Sequence, residues 1–128
     1  MKRWMGAVLT MFLTAGAGQA DPIYGLWQTP PDDGYYAHIR MQPCQDKICG
    51  LLAQNFALSG ETDPTYIGKT IVFDMNPDGR NSYAGSVWRP SNNKVYIGKI
   101  KLSGNKLTMR GCVLGGLLCA KQTWTRVQ

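Results

Sequence analysis

The sequence holds little of what enzymatic chemistry needs. His38 is its single histidine, and no G-x-S-x-G elbow or glycine-rich phosphate loop accompanies it. Of the eight acidic residues, Asp32, Asp33, Asp46, Asp74 and Asp78 fall at turns or strand ends, and Glu61 and Asp63 in one long loop. Turn chemistry accounts for most of them, and nothing singles out an acid–base pair. The cysteine spacings C-x4-C and C-x6-C match no common closed zinc site. The expectation is a protein without catalytic residue, metal or cofactor, and not an enzyme. No segment has a sustained, capped 3.6-residue period, so no long helix is expected. The basic residues form no run and no single helical face, which argues against a nucleic-acid partner.

One long apolar run is present, and it lies at the start. Lys2-Arg3 is followed by an uncharged stretch from Trp4 to Gly16, then by Ala17-Gly18-Gln19-Ala20. A basic start, a short apolar stretch and small residues at −1 and −3 make a secretory signal peptide, cut near Ala20-Asp21. The stretch is shorter than the roughly 20 residues a membrane-crossing helix needs, and no second run follows. Residues 1–20 are therefore read as a signal and 21–128 as one domain, periplasmic or secreted. No cysteine stands at position 21 to carry a lipid. The mature charge is +4, from twelve basic and eight acidic side chains.

Turn residues recur every eight to twelve positions, at Pro30 to Gly34, Gln45 to Lys47, Asn76 to Gly79, Ser91 to Lys94, Ser103 to Lys106 and Gly115-Gly116. Between them lie segments rich in Tyr, Ile, Val, Trp and Thr, which suit a pleated surface. Eight strands are expected near 23–29, 35–43, 49–55, 67–75, 82–89, 95–102, 107–114 and 117–127. The fold class is all-β. An antiparallel up-and-down eight-stranded barrel removes both sheet edges, and a two-sheet sandwich is the alternative. The connection from Phe56 to Tyr66 is read as an irregular loop, with a short helix as the alternative.

Four cysteines in an exported chain of this size are expected to be oxidised. With Gly115-Gly116 as a two-residue turn, Cys112 faces Cys119. With Asp46-Lys47 at the centre of its turn, Cys44 faces Cys49. Directly opposed residues stand within disulfide range, so both pairings are local and pin strand register. Strand alternation puts Tyr36, His38, Arg40 and Gln42 on one face and Ala37, Ile39 and Met41 on the other. The polar stripe is exposed or lumen-facing. Tyr36, His38 and Arg40, with Trp88 and Tyr96, are the candidate ligand contacts. In a closed barrel the first and last strands are neighbours, so Arg126 lies across Trp27 as a closing cation–π contact.

The opening Gly25-Leu26-Trp27 and the late Arg126 resemble the lipocalin and calycin barrels. The stretch from Tyr83 to Val127, with Gly85, Arg89-Pro90, Gly111 to Cys119 and Gln122 to Arg126, resembles the exported bacterial family DUF2147. Cys49-Gly50 and the segment from Asp63-Pro64 through Ile67-Gly68 fit the same pattern, although the loop between Ala53 and Ile67 is shorter than usual there. The resemblance implies a signal-bearing envelope protein with a lipocalin-like barrel, and it carries over no catalytic residue. Two roles follow as expectations. One is binding of a small apolar or amphipathic ligand inside the barrel. The other is a protein-binding module acting on an envelope partner, or a structural or envelope-stress protein. An interior cavity on the order of 300 Å³ or more separates the first from the second.

Overall fold

The computed structural model describes residues 21–128, and the signal read at 1–20 lies outside them. Eight antiparallel strands close into a barrel in sequence order: β1 (Gly25–Gln28), β2 (Tyr35–Cys44), β3 (Lys47–Ala57), β4 (Thr70–Pro77), β5 (Ser82–Arg89), β6 (Lys94–Ser103), β7 (Lys106–Val113) and β8 (Leu118–Arg126). Six of the seven breaks fall on the turn clusters read from the sequence, and the seventh, between β3 and β4, on the long connection. The barrel supplants the sandwich. The first strand is shorter than expected at both ends: it begins at Gly25, whose φ of 139° sets off the segment before it, and it stops ahead of Pro30 and Pro31, which offer no N–H to a further ladder.

Both disulfides join the expected cysteines, Cys44 to Cys49 and Cys112 to Cys119. At the first, however, the register differs from expectation by one residue on each side. The turn centres on Gln45-Asp46, with Gln45 at φ 59°, so Cys44 faces Lys47 and Gln42 faces Cys49. The bridge therefore runs diagonally, between Cα atoms 5.8 Å apart. At the second, the connection is not two residues but four. A single 3-10 turn at Leu114–Gly116 lengthens it by one residue on either side. Symmetric growth leaves the pairing unchanged, and Cys112 directly opposes Cys119.

One end of the barrel is filled and closed. Trp27, Met41, Val72, Met75 and Leu107 point inward there and are at most 1% exposed. Each such side chain contributes about 1.5–3 kcal/mol on leaving water. The segment before β1 crosses this end and buries Ile23, whose carbonyl accepts from Trp27 Nε1 at 2.9 Å. The last strand seals it. Arg126 pairs with Trp27 across β1 and β8, and its guanidinium sits 4.3 Å from the indole centroid. The same guanidinium donates to the carbonyls of Tyr24 at 3.0 Å and Pro22 at 2.6 Å, and to Asn105 Oδ1 at 3.1 Å. Beside it, Tyr83 donates to Asp21 at 2.5 Å; burial first, and then this carboxylate, raise the phenol pKa.

Candidate functional site

The other half of the barrel is empty. Inward residues change there from large to small, with Ala37 on β2 and the facing pair Gly111 and Ala120 on β7 and β8. What remains is an open cavity of about 1210 Å³, walled by apolar side chains such as Ile39, Leu52, Ile71, Val87, Met109 and Trp124. This is large enough for a small ligand.

The cavity opens at the end of the barrel and also down one side. Beyond Gln28 the chain turns away at Pro30, so β8 pairs with β1 only at Trp27–Arg126 and Gln28–Thr125. Among the described residues, the stretch Ala120–Thr123 of β8 has no ladder partner on that side. Both that stretch and Thr29–Asp33 line the cavity. The prolines that end β1 thus create a lateral slot.

Four contacts brace the mouth. Arg89 at the end of β5 grips Asp32 in the β1–β2 connection through two hydrogen bonds, 2.6 and 2.9 Å, the one ion pair among the described residues. Tyr66, from the β3–β4 connection, packs edge-on against Trp88 with centroids 5.6 Å apart. Asn92 donates to the Tyr96 hydroxyl at 2.7 Å, and Asn93 accepts from Trp88 Nε1 at 2.9 Å. The Arg89 hydrogen bond holds the Asp32 carboxyl below its ordinary pKa of 3.8. A depressed carboxylate pKa makes the brace complete at neutral pH and weakens it only as pH falls through that lowered value. A carbon-detected NMR titration is expected to show Asp32 protonating below 3.8, and at about the ordinary value once Arg89 is replaced by Gln. A midpoint above 3.8 in the unaltered protein would contradict the brace.

Of the residues singled out from the sequence, Tyr36, Trp88 and Tyr96 line the cavity, whereas His38 and Arg40 do not. Ala37, Ile39 and Met41 take the inward positions of β2, which leaves His38, Arg40 and Gln42 of the polar stripe on the outer surface, with Tyr36 at the rim of the mouth. His38 packs edge-on against Phe56, which also stacks on Tyr36, and Nε2 lies 3.0 Å from Gln28 Oε1. Burial lowers its pKa, so it is neutral at pH 7. Trp27 and Arg126 serve the closed end, away from the mouth. Among the described residues no group of three His, Cys, Asp or Glu side chains is placed to hold a metal ion.

Sequence alternation passes over one lining residue, Asn55. The register between β2 and β3 shifts between His38 and Ile39: Ile39 faces Leu52, but His38 faces Gln54, leaving Ala53 as a bulge. A bulge reverses the parity of all that follows. Asn55, opposite Ala37, is therefore turned inward and is 9% exposed. Its carbonyl accepts from the Asp63 N–H, but its side-chain amide makes no hydrogen bond among the described residues. A buried amide without a partner costs about 1–3 kcal/mol. Replacing Asn55 by Leu is thus expected to leave the fold as stable or raise it by about 1 kcal/mol, while weakening the binding of any polar ligand group. Urea unfolding checks the first half; a loss of more than about 1 kcal/mol would show that the amide is already satisfied.

Comparison with known proteins agrees with the barrel. A solved structure described as protein HP1028 from the human pathogen Helicobacter pylori, which belongs to the lipocalin family, is similar with a TM-score of 0.62. It shares 18% sequence identity, and the match covers 82% of each chain, a likeness that speaks for the fold alone. Among curated proteins none matches. The family model for DUF2147, an uncharacterized protein conserved in bacteria, matches residues 25–126, from the first strand of the barrel to the end of the last, and the chain belongs to that family.

Proposed function

We propose that this barrel is an exported carrier or sensor of a small amphipathic molecule, working in an oxidising envelope compartment and without catalysis. The supporting observation is the half-filled interior, large at the Trp27 end and emptied around Gly111 and Ala120 at the other. An apolar tail fits against Ile39, Leu52, Val87 and Met109, and the inward Asn55 amide offers a donor and an acceptor to a polar group. The lateral slot along β8 suits a ligand longer than the cavity is deep. The two disulfides support the oxidising compartment, since cytosolic thiols stay reduced. A filled interior would have favoured the protein-binding module instead.

The test is titration with an uncharged apolar fluorophore, N-phenyl-1-naphthylamine, whose emission rises out of water. Saturable one-site binding, with energy transfer from Trp124 in the cavity wall, is the expected result. No saturable signal, or a signal without transfer, would contradict a cavity that takes apolar ligands.

A further inference from the structure

The β7–β8 connection carries leucines where a soluble barrel has no use for them. Leu114, Leu117 and Leu118 are 72%, 86% and 62% exposed, and Val95 on neighbouring β6 is 59% exposed. Scattered exposed leucines need no explanation, but a contiguous apolar patch marks an interaction site. This tip is also held firmly. Leu114, Gly115 and Gly116 all take left-handed backbone conformations, and the Cys112–Cys119 bridge ties the two strands just below.

Directly beneath the tip runs a row of cations. Lys99 on β6 faces Arg110 on β7, which faces Lys121 on β8, so three positive charges stand side by side across three strands. Like charges directly opposed destabilise a sheet. No carboxylate relieves them: residues 79–128 contain nine lysines and arginines and no acidic residue, whereas 21–78 contain eight acidic and three basic. In a barrel of consecutive hairpins that division makes β5–β8 a positive wall, while the acidic residues of the other half lie outside its strands except for Asp74 on β4. The cations look spread out along the sequence, yet the fold gathers them.

We propose that the leucine tip and the Lys99–Arg110–Lys121 row dock the barrel onto an anionic phospholipid surface. Arg110 and Lys121 lie three residues from Val113 and Leu118, about 10 Å along a strand. That separation matches the roughly 5–10 Å to which apolar groups sink at a bilayer interface, so the leucines enter while the cations meet phosphates. A narrow protruding tip suits a fluid surface that closes around it. Because Gly111 and Ala120 line the cavity just inside this tip, docking turns the mouth toward the bilayer. Among the described residues no helix is long and apolar enough to cross a membrane; docking of this kind requires none.

The test is vesicle flotation of oxidised protein recovered from the periplasm of an expressing bacterium. Vesicles of phosphatidylcholine alone are compared with ones containing phosphatidylglycerol, at low and high salt. Binding is expected only with phosphatidylglycerol and is expected to fall with salt. Leu114→Ser with Leu117→Ser is expected to lower it about tenfold or more, and Lys99→Ser with Arg110→Ser roughly fivefold per cation. Naphthylamine binding in the cavity is expected to persist in all of these variants, which certifies their fold and keeps this test separate from that of the cavity. Absence of binding to phosphatidylglycerol overturns the proposal. So does binding that ignores the leucines, and so does capture on immobilised polyglutamate that depends on Lys99 and Arg110 alone, which would assign the row to an acidic protein.

Discussion

Trp27→Ala is expected to cost about 3–5 kcal/mol of folding stability, the range for removing a fully buried large aromatic. A domain of this size has about 5–15 kcal/mol in total, so the variant sits at the edge of folding. The indole is 0% exposed, fills the closed end, and donates to the Ile23 carbonyl. It is also the face on which the Arg126 guanidinium rests, a contact worth about 0.5–2 kcal/mol. Its loss thus removes core volume, unpins the segment that plugs the barrel, and loosens the β1–β8 seam, which has only two register pairs. Urea unfolding with an unchanged slope is the measurement. Arg126→Lys is the milder companion, because an ammonium keeps the charge but cannot serve the Pro22 and Tyr24 carbonyls and Asn105 with one planar fork. A cost below about 1 kcal/mol for Trp27→Ala would mean that the barrel does not close through this residue.

The second large effect belongs to the cavity. Gly111 is an inward glycine without left-handed backbone, and a Cβ there meets Tyr96 at 3.6 Å and Val87 at 3.9 Å, ordinary contact distances. A Cβ there fits against these side chains without displacing backbone, and the rest of a leucine is expected to extend into the cavity that Gly111 lines. Gly111→Leu should fold with stability within about 1 kcal/mol of the original, since the new side chain buries apolar surface and replaces glycine in a strand. Naphthylamine affinity should fall about tenfold or more, or 1.4 kcal/mol and above. Retained affinity in a folded Gly111→Leu protein would place the apolar site elsewhere, most simply on the leucine tip.

Strand order, barrel closure and the Trp27–Arg126 seam are legible in the sequence because they rest on local chemistry. Gly, Asn, Asp and Pro mark the turns, and a closed meander must bring its ends together. The Cys112–Cys119 pairing survives a longer turn because both sides grow equally. The Cys44–Cys49 register does not, since nothing local favours Gln45 over Asp46 for the left-handed position. The site was less legible. Alternation separates His38 from Ile39 correctly, but the flanking Ala37, Ile39 and Met41 decide which face turns inward, and the polar stripe goes outside. Asn55 depends on a bulge at Ala53, a one-residue irregularity without a composition signal. The slot beside β8 follows from Pro30-Pro31, visible as a turn but not as the end of a seam. The uneven charge is plain in the order of residues, yet it becomes a wall only once consecutive strands are neighbours.

The half-filled barrel is tested most directly by native mass spectrometry of protein recovered from the periplasm without detergent. The expected spectrum contains a reproducible added mass of small-molecule size that organic solvent removes, and that is absent from folded Gly111→Leu. A spectrum of bare protein alone, or an added mass that Gly111→Leu retains in full, would contradict a ligand held in the cavity.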